Sequence, residues 1–422
     1  MSSIRIKNFG PIKSGFKGVD SNGRQTDFVD IRKVTVFIGN QGSGKSTVAK
    51  LISTFSWIEK ALIRGDYDIK YFTSYNRFRK TFGAYHRIEN YFLDENGKDK
   101  ANIVYDGDAY LMIYAHGKLT IEATGGENYR LPQIMYVPAE RNFIANVKTP
   151  KALKLTSDSL LEFVTEFDNA KNEIKGAFKL PINDTSAEYN KSNDIVYIKG
   201  NNYKIRLTEA SSGFQSLVPL YLVSWFLANS VKKQTENAKE PMSSDELERF
   251  RKGVAEIWSN EALSDEQRRA ALSVLSAKFT KNAFINIVEE PEQNLFPASQ
   301  WQMLKALLEF NNMSDGNKLI MTTHSPYIIN YLSIAIQGKE LLEKIKKRSD
   351  GFELLKRLNE VVSADAVISI DDIAVYELDE VKGTISKLGN QEDILSDKNY
   401  LNNMLAEGNS RFDSLLEIEQ EL

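Results

Sequence analysis

Three glycines, a lysine and three hydroxyl side chains crowd into Gly39-Asn40-Gln41-Gly42-Ser43-Gly44-Lys45-Ser46-Thr47. Glycines let consecutive backbone N–H groups turn toward one point, and a helix that follows aims its positive end there, so this spacing suits a phosphate group. The apolar run Val34-Thr35-Val36-Phe37-Ile38 precedes it and Val48-Ala49-Lys50-Leu51-Ile52 follows, which gives the strand, turn and helix order of a Walker A loop. In that role Lys45 sits on the β- and γ-phosphates and Ser46 on Mg²⁺. A chance match in a surface turn is the competing explanation. At ordinary Gly, Lys and Ser usage it arises in roughly one or two chains in a hundred of this length, and the flanking elements argue against it.

Other polar residues close apolar runs, where a strand end presents side chains to a site. Ile285-Asn286-Ile287-Val288 ends in Glu289-Glu290, the Walker B form. One carboxylate of such a pair serves Mg²⁺ through water and the other polarises an attacking water, because hydrolysis needs charge neutralisation and a positioned nucleophile. Simple solvation of both glutamates is the alternative. Leu319-Ile320-Met321-Thr322-Thr323 ends in His324-Ser325-Pro326, and His324 is one of only three histidines. Its place downstream of the glutamate pair favours a γ-phosphate contact over a structural role. Ser211-Ser212-Gly213-Phe214-Gln215 opens a long apolar run, a second helix start whose small residues can approach a phosphate; a plain cap would look the same.

The elements that must position these residues follow from periodicity. Ile4–Phe9 and Asp27–Ile31 read as strands, and Asn102–Ala123 reads as an antiparallel meander with turns at Asp106-Gly107 and His116-Gly117. Leu131–Val137 is a further strand, Ser157–Lys175 a helix, and Ile195–Leu207 a hairpin turning at Gly200-Asn201-Asn202. Between Lys232 and Asn282 a charged helical segment carries two capping boxes, Ser243 with Glu246 and Ser264 with Gln267. The segment is either a solvated insertion or a docking surface. Strand Phe284–Val288, helix Ser299–Phe310, strand Lys318–Thr323 and helix Pro326–Leu332 come next, then an amphipathic helix over Gly338–Val362 and a small terminal hairpin, Ile373–Leu378 with Gly383–Lys387. Tyr71, Tyr75, Phe78, Phe82, Tyr85 and Phe92 fall at helical spacing, with Arg77, Arg79, Lys80, His86 and Arg87 among them. A nucleic-acid platform is conceivable; the register favours rings in a core and bases on a solvated rim.

Composition sets the bounds. The chain has 422 residues and 42% hydrophobic content, enough for two or three domains with full cores. With 54 basic and 57 acidic side chains the net charge is −3, so nucleic acid could be attracted only by a local patch. The absence of cysteine excludes disulfides, thiolate metal sites and cysteine nucleophiles, and is compatible with a reducing cytoplasm. Met1-Ser2-Ser3-Ile4-Arg5 has no apolar signal core, and the uncharged stretch Ala210–Val231 fits a buried core helix better than a membrane span. The expected localisation is cytoplasmic.

The order phosphate loop, Ser-Ser-Gly-Phe-Gln, Glu-Glu-Pro-Glu, Thr-Thr-His-Ser resembles the ABC-type ATPases of the SMC, RecF and OLD branch, over residues 1–60 and 205–335. Pro138-Ala139-Glu140-Arg141 adds a weaker likeness. The resemblance implies an α/β fold, a P-loop ATPase head of the ABC/SMC type with a mixed β-sheet, an antiparallel β-subdomain and helical insertions. The expected division is an N-terminal lobe over 1–145, a second part of the lobe over 146–335 and a C-terminal extension over 336–422. It further implies a homodimer that sandwiches ATP and Mg²⁺. Each nucleotide would be held by Gly39, Asn40, Gln41, Gly42, Ser43, Gly44, Lys45, Ser46, Thr47, Glu289, Glu290 and His324 of one copy and by Ser212, Gly213 and Gln215 of the other. Glu290, Glu289, His324 and Lys45 are the implied catalytic residues, and Ser46 with Glu289 the implied metal ligands.

The departures from the family pattern also matter. Glu289 stands where the branch usually has aspartate, Gln133 is a weak candidate for the glutamine loop, and Arg141 could face a phosphate or an interface. Coiled-coil arms and a nuclease domain are not recognisable, and Asp371, Asp372, Glu377, Asp379 and Glu380 read as a solvated strand edge. These features favour an ATPase that regulates an effector protein in trans, and the resemblance implies a bacterial anti-phage or toxin-like defence setting. The alternative is a RecF-like DNA clamp. A transporter motor ranks last, because Ser211–Gln215 departs from the transporter signature.

Overall fold

The computed structural model describes residues 2–19, 23–126, 129–147, 157–237, 244–260, 268, 271–272, 275, 279–348, 351–391 and 394–420. Its centre is a seven-stranded sheet. In spatial order the strands are Pro132–Val137, Ala283–Glu289, Lys318–Thr322, Val34–Gly39, Ile373–Asp379, Thr384–Lys387 and Gly15–Phe16. The first five run parallel to one another, and every residue of Val34–Gly39 and Ala283–Glu289 is buried, as expected for strands covered on both faces. Strict alternation divides the two cores. Val34, Val36 and Ile38 face a helical layer with Leu217, Leu220, Leu304 and Leu332, whereas Phe37, Ile287, Ile320 and Tyr376 face the other side.

That other side holds the helix Lys45–Arg64 and a five-stranded antiparallel sheet ordered Val29–Asp30, Ser3–Lys7, Asn102–Asp106, Tyr110–Ala115 and Lys118–Ala123. The expected meander is therefore present, with His116 and Gly117 at φ 52° and 74° making its second turn. A four-stranded antiparallel sheet, Phe178–Lys179 through Tyr203–Arg206, contains the predicted hairpin. The apolar helix Ser212–Asn237 is long and apolar enough to cross a membrane, yet Leu217, Val218, Leu220, Leu222, Val223, Leu227 and Val231 all lie in the core. The core-helix reading agrees with this. Ser243, Ser264 and Gln267, three of the four capping-box residues, lie outside the described residues; helix Ser244–Ser259 occupies part of that segment.

Three local expectations need correction. The aromatics after Asp66 do not share one helical face: helix Ile69–Thr73 ends at Ser74 in extended backbone, and Asn76 turns left-handed at φ 57° before a π-helical segment, Phe78–Gly83. Phe72, Phe78, Phe82 and Phe92 are core, each worth about 1.5–3 kcal/mol in burial, but Tyr75 is 91% exposed. The Gly338–Val362 helix is two helices, Pro326–Lys346 and Gly351–Val361. The terminal hairpin forms, but its first strand, Ile373–Asp379, is not an edge. It pairs parallel with the phosphate-loop strand on one side and with Thr384–Lys387 on the other. Strands from all three stretches, 1–145, 146–335 and 336–422, thus share one sheet.

One buried acid ties the two layers together. Glu59, on the helix Lys45–Arg64 and 2% exposed, accepts hydrogen bonds at Oε1 from the backbone N–H groups of Ala109 (2.8 Å) and Tyr110 (3.1 Å) in the meander. Burial pushes its carboxyl up to about 7, against the pull of those donors. Between the ordinary carboxylate range and pH 7 the folded state therefore binds more protons than the unfolded one, so stability falls as pH rises through this window. We expect Glu59→Gln to flatten that slope in denaturant melts taken from pH 4.5 to 7. An unchanged slope would mean that Glu59 is ionised throughout.

Candidate nucleotide site

The phosphate loop leaves the sheet at Gly39 and enters the helix at Lys45, and Gly39, Gly42 and Gly44 all take positive φ (141°, 76°, 104°). A Cβ on Gly39 would stand 2.3 Å from the Leu378 carbonyl oxygen, so the neighbouring strand forces glycine there as firmly as the turn does. Ser43 Oγ is buried without a partner. Lys45 Nζ donates to the carbonyls of Gly39 (2.9 Å) and Asn40 (2.8 Å) and, among the described residues, pairs with no carboxylate. Burial pushes the Lys45 ammonium down to about 8, opposed by Glu290, Glu292, Glu380 and Glu289. An orphaned hydroxyl, an unpaired buried cation and a glycine cradle together fit an anionic phosphate chain.

Parallel pairing brings the other residues to the same end. Glu289 is in register with Thr322, which pairs with Phe37 of the phosphate-loop strand. The two glutamates then part company. Glu289 is 5% exposed; its carboxylate accepts the Tyr136 hydroxyl (2.5 Å) and the Ala139 N–H (3.1 Å). Glu290 takes φ 45°, leaves its side chain about a third exposed, and stands 3.7 Å from His324 Nε2. Burial and the neighbouring Glu289 raise the Glu290 carboxyl above the usual range, while burial and Lys45 lower the His324 imidazole. The 3.7 Å approach therefore sets the Glu290 carboxyl beside a ring whose charged form is disfavoured. Glu292 fixes that ring's backbone: its Oε1 accepts the His324 N–H at 2.7 Å. Among the described residues no three His, Asp or Glu side chains cluster as a metal cage. That is compatible with an Mg²⁺ held mainly by phosphates, water and one hydroxyl.

The signature residues start the helix Ser212–Asn237. Ser211 and Ser212 are exposed, and Gln215 Nε2 donates to the Ala210 carbonyl at 3.1 Å. Gly213 packs on the Walker B loop: a Cβ there would come 2.9 Å from the Asn294 carbonyl, while Asn294 Nδ2 donates to Ser216 Oγ at 3.0 Å. The loop after Glu290 and the signature helix therefore pack directly on one another.

Two candidates fail their expected roles. Gln133 pairs with Phe284 near the start of its strand, four residues before Val137, and so lies at the opposite end of the sheet from the loop. Arg141 faces neither phosphate nor interface. It is 0% exposed, donating from Nε to the Ser216 carbonyl (3.1 Å), from Nη1 to Glu289 O (2.7 Å) and from Nη2 to Glu290 O (2.6 Å). The acidic run also departs from a solvated edge, since Glu377 accepts the Tyr400 N–H (2.7 Å) and Glu380 accepts Asn40 Nδ2 of the phosphate loop (2.8 Å). Sequence reasoning missed Tyr136 and Glu380; no spacing links either to the loop, and only sheet order does.

The family described as "AAA domain, putative AbiEii toxin, Type IV TA system" matches residues 34–330, from the phosphate-loop strand past His324. The chain belongs to this family. No curated protein matches it. Solved structures similar to this AAA-family chain include the SMC head domain from Thermotoga maritima, at 12% identity over 92% of this chain and 98% of that one, with a TM-score of 0.35. An ATP-binding cassette in a dimeric post-hydrolysis state bound to ADP and Pi is 10% identical over 93% of this chain and 100% of that one, with a TM-score of 0.29. At such identities and scores nothing about activity or partners is carried over.

Proposed function

We propose that this AAA-family chain is an Mg²⁺-dependent ATPase of the ABC type that dimerises around ATP and regulates an effector protein in trans, in the cytoplasm and in an anti-phage or toxin-like setting. The observation that carries the reading is the convergence of the glycine cradle, Lys45, Glu289, Glu290 and His324 at the ends of three adjacent parallel strands. When bound, Mg-ATP supplies the phosphoanhydride to be cleaved and the metal supplies charge neutralisation. Lys45 and the N–H groups of Gly42 to Thr47 would hold the phosphates, with Ser46 and Glu289 on the metal side. Glu290, with the more accessible carboxylate, would take the proton of the attacking water, and the His324 ring would orient that water or a phosphate oxygen.

Ser212, Gly213 and Gln215 would serve the partner copy. Support comes from the exposed start of their helix and from its packing against the Walker B loop, which couples closure to the catalytic glutamate. The test is ATP binding and molar mass by light scattering on the full chain. Wild type should bind ATP, and Glu290→Gln, which slows hydrolysis, should double its mass in ATP, whereas Lys45→Ala should do neither. A protein that stays monomeric and binds no ATP would remove the proposal.

A further inference from the structure

Five basic residues stand among the aromatics that follow Asp66, and the fold withdraws three of them. His86 is 1% exposed and burial holds its imidazole down to about 3, Arg87 pairs with Glu140 at 2.8 Å, and Arg77 lies over the Tyr71 ring at 4.2 Å. Arg79 has a different position. It lines a cavity of about 360 Å³, whose opposite wall is the meander turn bearing His116 and Lys118. The two walls are far apart in sequence, so no spacing announces the cavity.

The lining has a definite chemistry. Tyr75 is 91% exposed although Phe72 and Phe78 beside it are buried, so its ring contributes nothing to the core. Arg79 and Lys118 are the charged lining residues, and neither pairs with a carboxylate among the described residues. The lining includes no Asp or Glu, and Asp99 accepts the hydroxyl of Tyr114 instead. An exposed ring and two cations lining one cavity, with Asn76 and His116 as further polar lining residues, are suited to a planar base carrying a phosphate. The volume is that of a small-ligand site, of order 300–1,000 Å³.

We propose that this cavity is a subsite for one nucleotide unit of an unpaired nucleic-acid strand, its base stacked on Tyr75 and its phosphate held by Arg79 and Lys118. A base inside a duplex cannot offer its face to Tyr75, which excludes paired strands. The site is separate from the phosphate loop, and its use does not depend on ATP turnover.

The test is fluorescence anisotropy of a short labelled oligothymidine with the full chain, without ATP, over a range of salt. We expect saturable binding that Tyr75→Ala weakens by about tenfold or more and Tyr75→Trp restores, the loss of one base stack. Replacing Arg79 and Lys118 together by alanine should reduce the slope of log K against log salt by about 0.7, the one phosphate contact of the site, and each single alanine variant should weaken binding. Lys45→Ala should leave binding unchanged, so failure here and failure of the ATPase reading are distinguishable. Thymidine monophosphate competing as tightly as the strand, a duplex of the same length binding as well, or binding that all three alanine variants leave untouched would each overturn the proposal, as would no binding at all.

Discussion

Glu290→Gln should lower ATP turnover by about 10²–10⁴-fold while ATP binding persists and the nucleotide-bound dimer accumulates. The range is that of losing a positioned general base. The argument rests on the unequal surroundings of two adjacent carboxylates. Glu289 already accepts a tyrosine hydroxyl and a backbone N–H, so its oxygens are engaged by the protein, whereas Glu290 is held in a left-handed conformation with its side chain open beside His324. Glutamine keeps the shape and the backbone contacts of Glu290 but cannot take a proton. Because burial and Glu289 raise the Glu290 carboxyl, the acid limb of the wild-type pH–rate profile should lie above the ordinary carboxylate range. Steady-state phosphate release and light scattering check both halves of the expectation. Undiminished turnover in Glu290→Gln, with a large loss in Glu289→Gln, would reverse the assignment of the pair.

Arg141→Ala should destabilise the folded protein by at least about 3 kcal/mol, each abandoned buried acceptor costing about 1–3 kcal/mol. The fully buried guanidinium holds the carbonyls of Glu289 and Glu290 and that of Ser216, so it pins the Walker B turn to the first turns of the signature helix. Burial pushes it down to about 10, against the pull of Glu292, Glu290 and Glu289, and it remains charged at neutral pH. Arg141→Lys keeps the charge but cannot span acceptors with a planar fork, so it should recover only part of the loss. Denaturant midpoints measure this directly. An interface arginine would behave differently, giving a normal midpoint in Arg141→Ala and a dimer that fails to form.

The positive-φ glycines, the two glutamates ending an apolar strand and the lone strand-end histidine were legible because each is a local pattern. A turn needs glycine where φ is positive, and a buried parallel strand needs an unbroken apolar run that stops where its polar ends begin. The meander was legible for the same reason, through alternation and a His-Gly turn. Gln133 was misplaced because a strand's residues alone do not say which of them reach the end that carries the site; the register of Pro132–Val137 against Ala283–Glu289 decides that. Arg141 and Glu380 were misjudged because burial and sheet order are long-range facts. One neighbour of Arg141 comes from a helix 75 positions later, and Glu380 meets Asn40 across 340 positions. Residue types and spacings by themselves therefore determined the phosphate loop, the carboxylate pair and the elements that carry them. Only the tertiary structure decided which charges are consumed by neighbouring carbonyls and which remain free, because that depends on how distant segments desolvate one another.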